Sequence, residues 1–322
     1  MYTQMILGAI AGLSLFLYGM QLMGDGLQKV AGEGLKGIIR RLTKNRLMSV
    51  LVGMFVTTII QSSSATTVMV VGFVNAGLMT LAQAVGVVFG ANIGTTITGQ
   101  MVSFNLSQWA PIVIAAGLVA NMLTKNPKVK EASEIFIGFG ILFIGMSTLS
   151  NSLEPLKELP EFTNWILQYG SNPFIGVGIG LLMTLVLQSS SATIGVLIAL
   201  ASQGVLPITT AVFIIFGDNI GTCTTALISS LGTSRRGKQV ALFHLMINII
   251  GTIYFMLFLR GILVNVVESI DPGNVARQIA NAHTIFNIVN VIVLFPFTNL
   301  LVKLIQVIIP DSEDEEESIT RY

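Results

Sequence analysis

Two blocks of small hydroxylated residues stand out for the chemistry they offer: Gln61-Ser62-Ser63-Ser64-Ala65-Thr66 and Gln188-Ser189-Ser190-Ser191-Ala192-Thr193, identical at all six positions. Each interrupts a strongly apolar run, one over 47–77 and the other over 165–205. A helix broken in a nonpolar setting leaves backbone N–H and C=O groups unpaired, which is tolerated only where protein or a water-filled cavity surrounds them. The helix that restarts after the break carries free N–H groups and roughly half a positive charge at its N-terminus. That end is a ready anion site. Three successive hydroxyls add donors suited to tetrahedral oxygens, so two such tips can enclose a small oxyanion without Arg or Lys. The same hydroxyls can turn lone pairs toward a hard cation. A purely structural reading, in which serines bond carbonyls or neighbouring helices, suits one block better than two at matched places.

Composition says where these blocks must sit. The 322-residue chain is 52% hydrophobic and 10% charged, against ~25% charged in soluble domains. Six of its 16 acids lie within 311–317. A soluble chain this apolar would expose aggregating patches, so the expected fold class is an all-α polytopic membrane protein. A crossing helix needs ~20 mostly apolar residues. Candidates fall at 3–23, 80–100, 108–123, 135–150, 207–230, 239–264 and 283–309. The segments 47–77 and 165–205 are too long for one crossing and too polar in the middle; they read as re-entrant helical hairpins. The first apolar stretch lacks a basic leader and reads as a span.

The two blocks belong to a duplication. At offset 127, 16 of the 38 residues from Gln61 to Thr98 match without a gap, including Gly90-Ala91-Asn92-Ile93-Gly94-Thr95 on Gly217-Asp218-Asn219-Ile220-Gly221-Thr222. Upstream, Leu17-Tyr18-Gly19-Met20 answers Phe143-Ile144-Gly145-Met146. The copies are expected to be inverted. Residues 24–46 carry six basic residues (Lys29, Lys36, Arg40, Arg41, Lys44, Arg46), whereas 151–173 carry Lys157 with Glu154, Glu158 and Glu161. Basic short loops mark the cytoplasmic side, so equivalent loops lie on opposite faces. The stretch 24–46 reads either as an interfacial amphipathic helix or as a solvated connector. The expected units are repeat 1 (1–123), a cytoplasmic linker (124–132), inverted repeat 2 (133–260), a further transmembrane region (261–310) and an acidic cytoplasmic tail (311–322).

Several function classes drop out. One cysteine, Cys223, excludes a disulfide framework or Cys-rich metal centre. A net charge of +1 with basic residues in short loops argues against nucleic acid as a partner. An intramembrane serine nucleophile would need a base within hydrogen-bond reach, and a Gly-x-Ser-x-Gly elbow is missing; an enzyme is not expected. A channel with re-entrant loops is the better rival. Inverted repeats with broken helices point instead to a secondary transporter, with its site at the repeat interface.

The paired Gln-Ser-Ser-Ser blocks and the following Gly-Ala-Asn-Ile-Gly-Thr-Thr and Gly-Asp-Asn-Ile-Gly-Thr-Cys-Thr-Thr segments resemble the type II sodium–phosphate cotransporter family over nearly all of 1–310. The resemblance implies sodium-coupled symport of inorganic phosphate across the plasma membrane by alternating access, with sodium as the co-transported ion and no organic cofactor. Phosphate would be held by Gln61, Ser62, Ser63, Ser64, Gln188, Ser189, Ser190 and Ser191. The pool of sodium ligands is Thr66, Asn92, Thr95, Thr193, Asp218, Asn219 and Thr222. Residues alone leave sulfate and arsenate open as the oxyanion, and they do not give an oligomeric state.

Asp218 is the sole acid within the expected spans. A charge there is costly unless paired or ion-bound, which makes it a sodium ligand or proton carrier, or else an N-cap at a break before Asn219. Asn92 and Asn219 are expected to cap restarted helices. A smaller echo places Gln239, His244 and Asn248 on Gln278, His283 and Asn287 at offset 39. His and Asn four apart share a helix face, and serve either as interhelical packing or as relay or ligand groups.

Overall fold

The computed structural model describes residues 2–32, 34, 37–39, 43, 45–170 and 172–311. Within the basic stretch 24–46, Lys36, Arg40, Arg41 and Lys44 lie outside the described residues, as does the tail from 312 onward. The described residues are helical throughout, with no strand. In chain order the helices are α1 (Tyr2–Ala31), α2 (Arg46–Ile60), α3 (Ser63–Asn75), α4 (Leu81–Gly94), α5 (Thr96–Ser103), α6 (Ala110–Leu123) and α7 (Pro127–Leu153). They continue with α8 (Pro160–Tyr169), α9 (Pro173–Leu187), α10 (Ser190–Ser202), α11 (Ile208–Ser230), α12 (Arg235–Tyr254), α13 (Arg260–Ile270), α14 (Val275–Leu294) and α15 (Thr298–Ile308).

Among the described residues, six helical runs are long and apolar enough to cross a membrane: Tyr2–Ala31, Leu81–Ser103, Pro127–Glu158, Ile208–Ser230, Arg235–Ile270 and Val275–Ile308. The chain is a multi-pass membrane protein. Some boundaries differ from the sequence reading. The first run extends past residue 23 to Ala31 and so takes in Asp25. The segment 108–123 is a shorter helix packed on α7. α12 and α13 are joined by a π turn over Phe255–Leu259, so the helix passes through residue 260.

The duplication is visible in the backbone. Shifting α2 and α3 by 127 residues reproduces the bounds of α9 and α10, and shifting the span from α4 through α5 reproduces those of α11. Even the caps repeat. The Asn45 side chain accepts from Met48 N at the start of α2, and Asn172 accepts from Phe174 N at the start of α9, leaving fewer orphan donors in each first turn.

Glycine decides how closely these helices approach. A Cβ at Gly53 or Gly90 would fall on the carbonyls of Val87 or Val50, and at Gly180 or Gly217 on those of Ile214 or Val177. Close backbone contact of this kind drives helix association in lipid. The contacts advance together along both partners, so α2 runs parallel to α4 and α9 parallel to α11. The pairing of α1 with α7 is different. Gly12 meets Leu149, Gly19 meets Leu142 and Gly26 meets Ile135. The numbers rise on α1 as they fall on α7, so these equivalent helices are antiparallel. Lys29 and Glu134 close one end with an ion pair of 2.6 Å.

These contacts set a stability prediction. Gly90→Ala and Gly217→Ala should each destabilise the protein by about 1–3 kcal/mol through overpacking. Gly178, whose Cβ would meet open space, should accept Ala with a gain of up to about 1 kcal/mol from helix propensity. Unfolding midpoints in detergent micelles check both.

Candidate anion site between two helix breaks

Each serine block lies where one helix stops and the next begins. At the first break Gln61 has φ 59° and ψ 23°, and at the second Gln188 has φ 53° and ψ 24°. Both are left-handed, a conformation that costs a non-glycine residue roughly 1–2 kcal/mol. The glutamine side chains brace the turn: Gln61 Nε2 donates to Thr58 O and Gln188 Nε2 to Leu185 O, both at 2.5 Å. Gln61 Oε1 also accepts from Thr98 Oγ1 at 2.7 Å. Ser62 and Ser189 then cap the restarted helices, accepting from Ala65 N at 3.1 Å and Ala192 N at 3.2 Å. Ser63, Ser64, Ser190 and Ser191 fall in the first turns, where backbone N–H groups lack intrahelical partners.

The two breaks meet. All eight residues from Gln61–Ser64 and Gln188–Ser191 line one cavity of about 240 Å³. Thr95 lines it too, its Oγ1 3.5 Å from Ser190 Oγ. The rest of the wall comes from α1, through Met20, Gln21, Gly24, Asp25 and Gln28. Gly24 brings that helix against Ile60 and Gln61. Among the described residues no Lys or Arg lines the cavity, and Asp25, on an exposed face of α1, is the one charged residue there. A larger cavity, about 630 Å³, lies against the other end of the α1–α7 pair, beside Ser147, Ser150 and Asn151. None of the expected site residues lines it.

The expected cation ligands divide between the halves. In the first, Thr57 Oγ1 donates to Thr66 Oγ1 at 2.9 Å, and Asn92 accepts from His244 Nε2 at 2.9 Å. In the second, Thr184 and Thr193 hydroxyls are 3.0 Å apart, and Thr184 Oγ1 donates to Asp218 Oδ1 at 2.6 Å. Thr222 Oγ1 donates to the Asp218 carbonyl at 2.9 Å. Thr184, Ser190 and Thr222 line a small recess of this half that reaches Ser64 of the first break.

The expected capping role of Asn92 and Asn219 is corrected, and the N-cap alternative for Asp218 falls with it. α11 runs unbroken from Ile208 to Ser230, so neither Asp218 nor Asn219 stands at a helix start. Asn219 Nδ2 donates one turn back to Ile215 O at 2.9 Å. The neighbouring Gly217 and Gly221 serve close packing on α9. Asn92 lies in the last turn of α4, ahead of the break at Thr95. The sequence reading did not place α1 in the wall of this cavity. Gln21, Asp25 and Gln28 recur at helical spacing, a polar stripe that signals continuation beyond residue 23. Thr57, Thr98 and Thr184 were hidden among other membrane threonines.

Comparison with known proteins fits this architecture. The family model described as Na+/Pi-cotransporter matches twice, over residues 15–151 and 147–270. The chain belongs to the Na+/Pi-cotransporter family, a family of transporters. Bacillus subtilis YqeW is 30% identical over 92% of this chain and 95% of its own. Escherichia coli YjbB, whose name gives it a proposed role in inorganic phosphate export, is 22% identical over 96% of this chain and 56% of its own. The rat sodium-dependent phosphate transport protein 2A is 23% identical over 74% of this chain and 58% of its own. The chain thus spans little more than half the length of these last two relatives. No solved structure matches.

The left-handed turn yields a prediction. Because Gln188 bonds only within its own turn, Gln188→Gly should fold about as stably as the native protein. Gln188→Val should unfold more readily than the glycine variant by about 1–2 kcal/mol. Denaturant midpoints in detergent compare the pair.

Proposed function

We propose that the protein is a sodium-coupled symporter of inorganic phosphate in the plasma membrane, working by alternating access with phosphate held between the two helix breaks. The observation that carries this reading is the cavity lined by all of both Gln-Ser-Ser-Ser blocks and, among the described residues, free of Lys and Arg. Two helix N-termini aimed at one space supply N–H donors and positive dipole ends, and the serine hydroxyls complete the shell. Sodium draws its ligands from Thr66, Asn92, Thr95, Thr193, Asp218, Asn219 and Thr222, of which Thr193 is linked to the Asp218 carboxylate through Thr184.

The repeats are inverted in this reading, and each broken pair is a re-entrant hairpin. Support comes from the antiparallel packing of the equivalent helices α1 and α7, and from α2 and α9 running parallel to the helices two further on. The basic residues near Arg235 and the C-terminus then face the cytoplasm. The cavities beside the opposite ends of the α1–α7 pair suit a carrier whose site is reached from each side in turn.

The names of relatives point to different directions of transport, so direction is part of the test. Labelled phosphate should enter proteoliposomes faster with an inward sodium gradient than with an inward potassium gradient. Uptake indifferent to sodium would overturn symport, and inhibition by equal sulfate would change the substrate. The pseudo-symmetry adds a sharper expectation. Ser63→Ala and Ser190→Ala should weaken phosphate by similar amounts, about 1–3 kcal/mol per buried hydrogen bond lost, read from uptake against phosphate concentration. Cysteines at positions 36 and 158 should label from opposite faces of intact vesicles; labelling from one face would overturn the inversion.

A further inference from the structure

The echoed His–Asn pairs of α12 and α14 meet the two halves of the molecule in different ways. In the first half the polar groups close on one another. His244 Nε2 donates to Asn92 Oδ1 at 2.9 Å, and Asn92 Nδ2 donates to Asn248 Oδ1 at 3.1 Å. Asn248 Nδ2 in turn donates to the His244 carbonyl at 2.9 Å and to Cys223 Sγ at 3.2 Å. Both amide side chains are fully satisfied.

In the second half the ring is open. Asn219, the equivalent of Asn92, spends its amide on Ile215 O, which leaves Asn287 Oδ1 without a partner. Asn287 Nδ2 donates to the His283 carbonyl at 2.9 Å, folding the side chain back toward His283. The position of Ala91 is here Asp218, whose Oδ2 has no hydrogen-bond partner and lies 4.0 Å from His283 Nε2. Both ring nitrogens of His283 are likewise without hydrogen-bond partners. Asp218, His283 and Asn287 are 0%, 1% and 0% exposed.

Asp218 Oδ2 thus faces His283 Nε2 where α14 packs on α11, and the unpartnered Asn287 Oδ1 belongs to the residue one turn along α14, at the place where the second half carries a carboxylate and the first an alanine. Buried polar groups in native proteins are partnered, and a buried carboxylate demands a compensating charge. A hard cation answers both demands, since it takes oxygen ligands and supplies the charge. We propose that Asp218 Oδ2 and Asn287 Oδ1, with His283 Nε2 facing the carboxylate, bind one sodium ion, and that the first half has no counterpart because Ala91 supplies no carboxylate there and the side-chain amides of Asn92 and Asn248 are already partnered. This rests on the sodium-coupled reading above and adds α14 to it. The last long helix is then part of the transport machinery, not a support for it.

The test is equilibrium binding of radioactive sodium to the purified protein in detergent, without phosphate, alongside sodium-driven uptake in proteoliposomes. Asn287→Ala should bind one sodium fewer per chain, or hold it at least tenfold more weakly. Asn287→Asp, which keeps an oxygen ligand, should retain the native count, as should Asn248→Ala. Asp218→Asn should lose one ion, and combining it with Asn287→Ala should lose no second one. An unchanged count and affinity in Asn287→Ala overturns the proposal, as does loss of two ions in the double variant. If Asn287→Ala does not fold, loss of an ion in Asn287→Asp overturns it instead. Sodium-driven uptake with an unchanged count in Asn287→Ala ends this inference alone, whereas a native protein that neither binds sodium nor responds to its gradient ends the symport reading as well.

Discussion

A backbone interrupted inside lipid has to find partners for its freed N–H and C=O groups, and everything around the serine blocks answers that demand. Gln61 and Gln188 accept a left-handed turn and bond the carbonyls at its base. Ser62 and Ser189 take one orphan donor each. The donors that remain in the first turns of α3 and α10 face a shared cavity instead of hydrocarbon. In the proposed function, the polarity that would be a defect in a continuous span becomes a binding surface.

Much of this was legible because the duplication wrote each element twice. Periodicity alone would not separate a re-entrant pair from a long buried helix, but six identical residues at offset 127 mark the same backbone event in both copies. The reading failed in one respect. Asn92 and Asn219 were expected to cap restarted helices, whereas α11 is continuous and the glycines beside Asn219 permit its backbone contact with α9; a sequence shows the missing Cβ but not what occupies its place. Asp25 was lost for a related reason. Hydropathy ends the first span near residue 23, while the helix itself continues, because its polar face looks into a cavity and not into lipid. The pairing of His244 with Asn92 needed tertiary contacts that no local pattern encodes.

The two copies have diverged where the chemistry is most sensitive. The serine blocks stayed identical, as the proposed substrate held symmetrically between two tips would require. Away from the tips, Ala91 against Asp218 places a carboxylate in one half only; in the first half the Asn92 and Asn248 amides bond each other, whereas Asp218 Oδ2 and Asn287 Oδ1 have no hydrogen-bond partner. In the proposed function, symmetry is kept for the oxyanion and given up for the cation.

The glycine contacts also have a mechanical consequence. Where backbone lies on backbone, as between α2 and α4 or α9 and α11, there is no side-chain layer to shear, and sliding by a fraction of a turn would bring Cβ atoms into carbonyls. Each broken helix is thus locked to the helix two further on and moves as a stiff plate. Compliance is left to the connectors, where Gly77 and Gly204 sit at equivalent positions with φ of 68° and 71° and open space around them. The antiparallel α1–α7 pair forms a separate stiff beam of the same construction. A molecule assembled from two plates and a beam can rock at its seams while keeping each tip undeformed, so the geometry offered to a bound anion need not be rebuilt on every cycle.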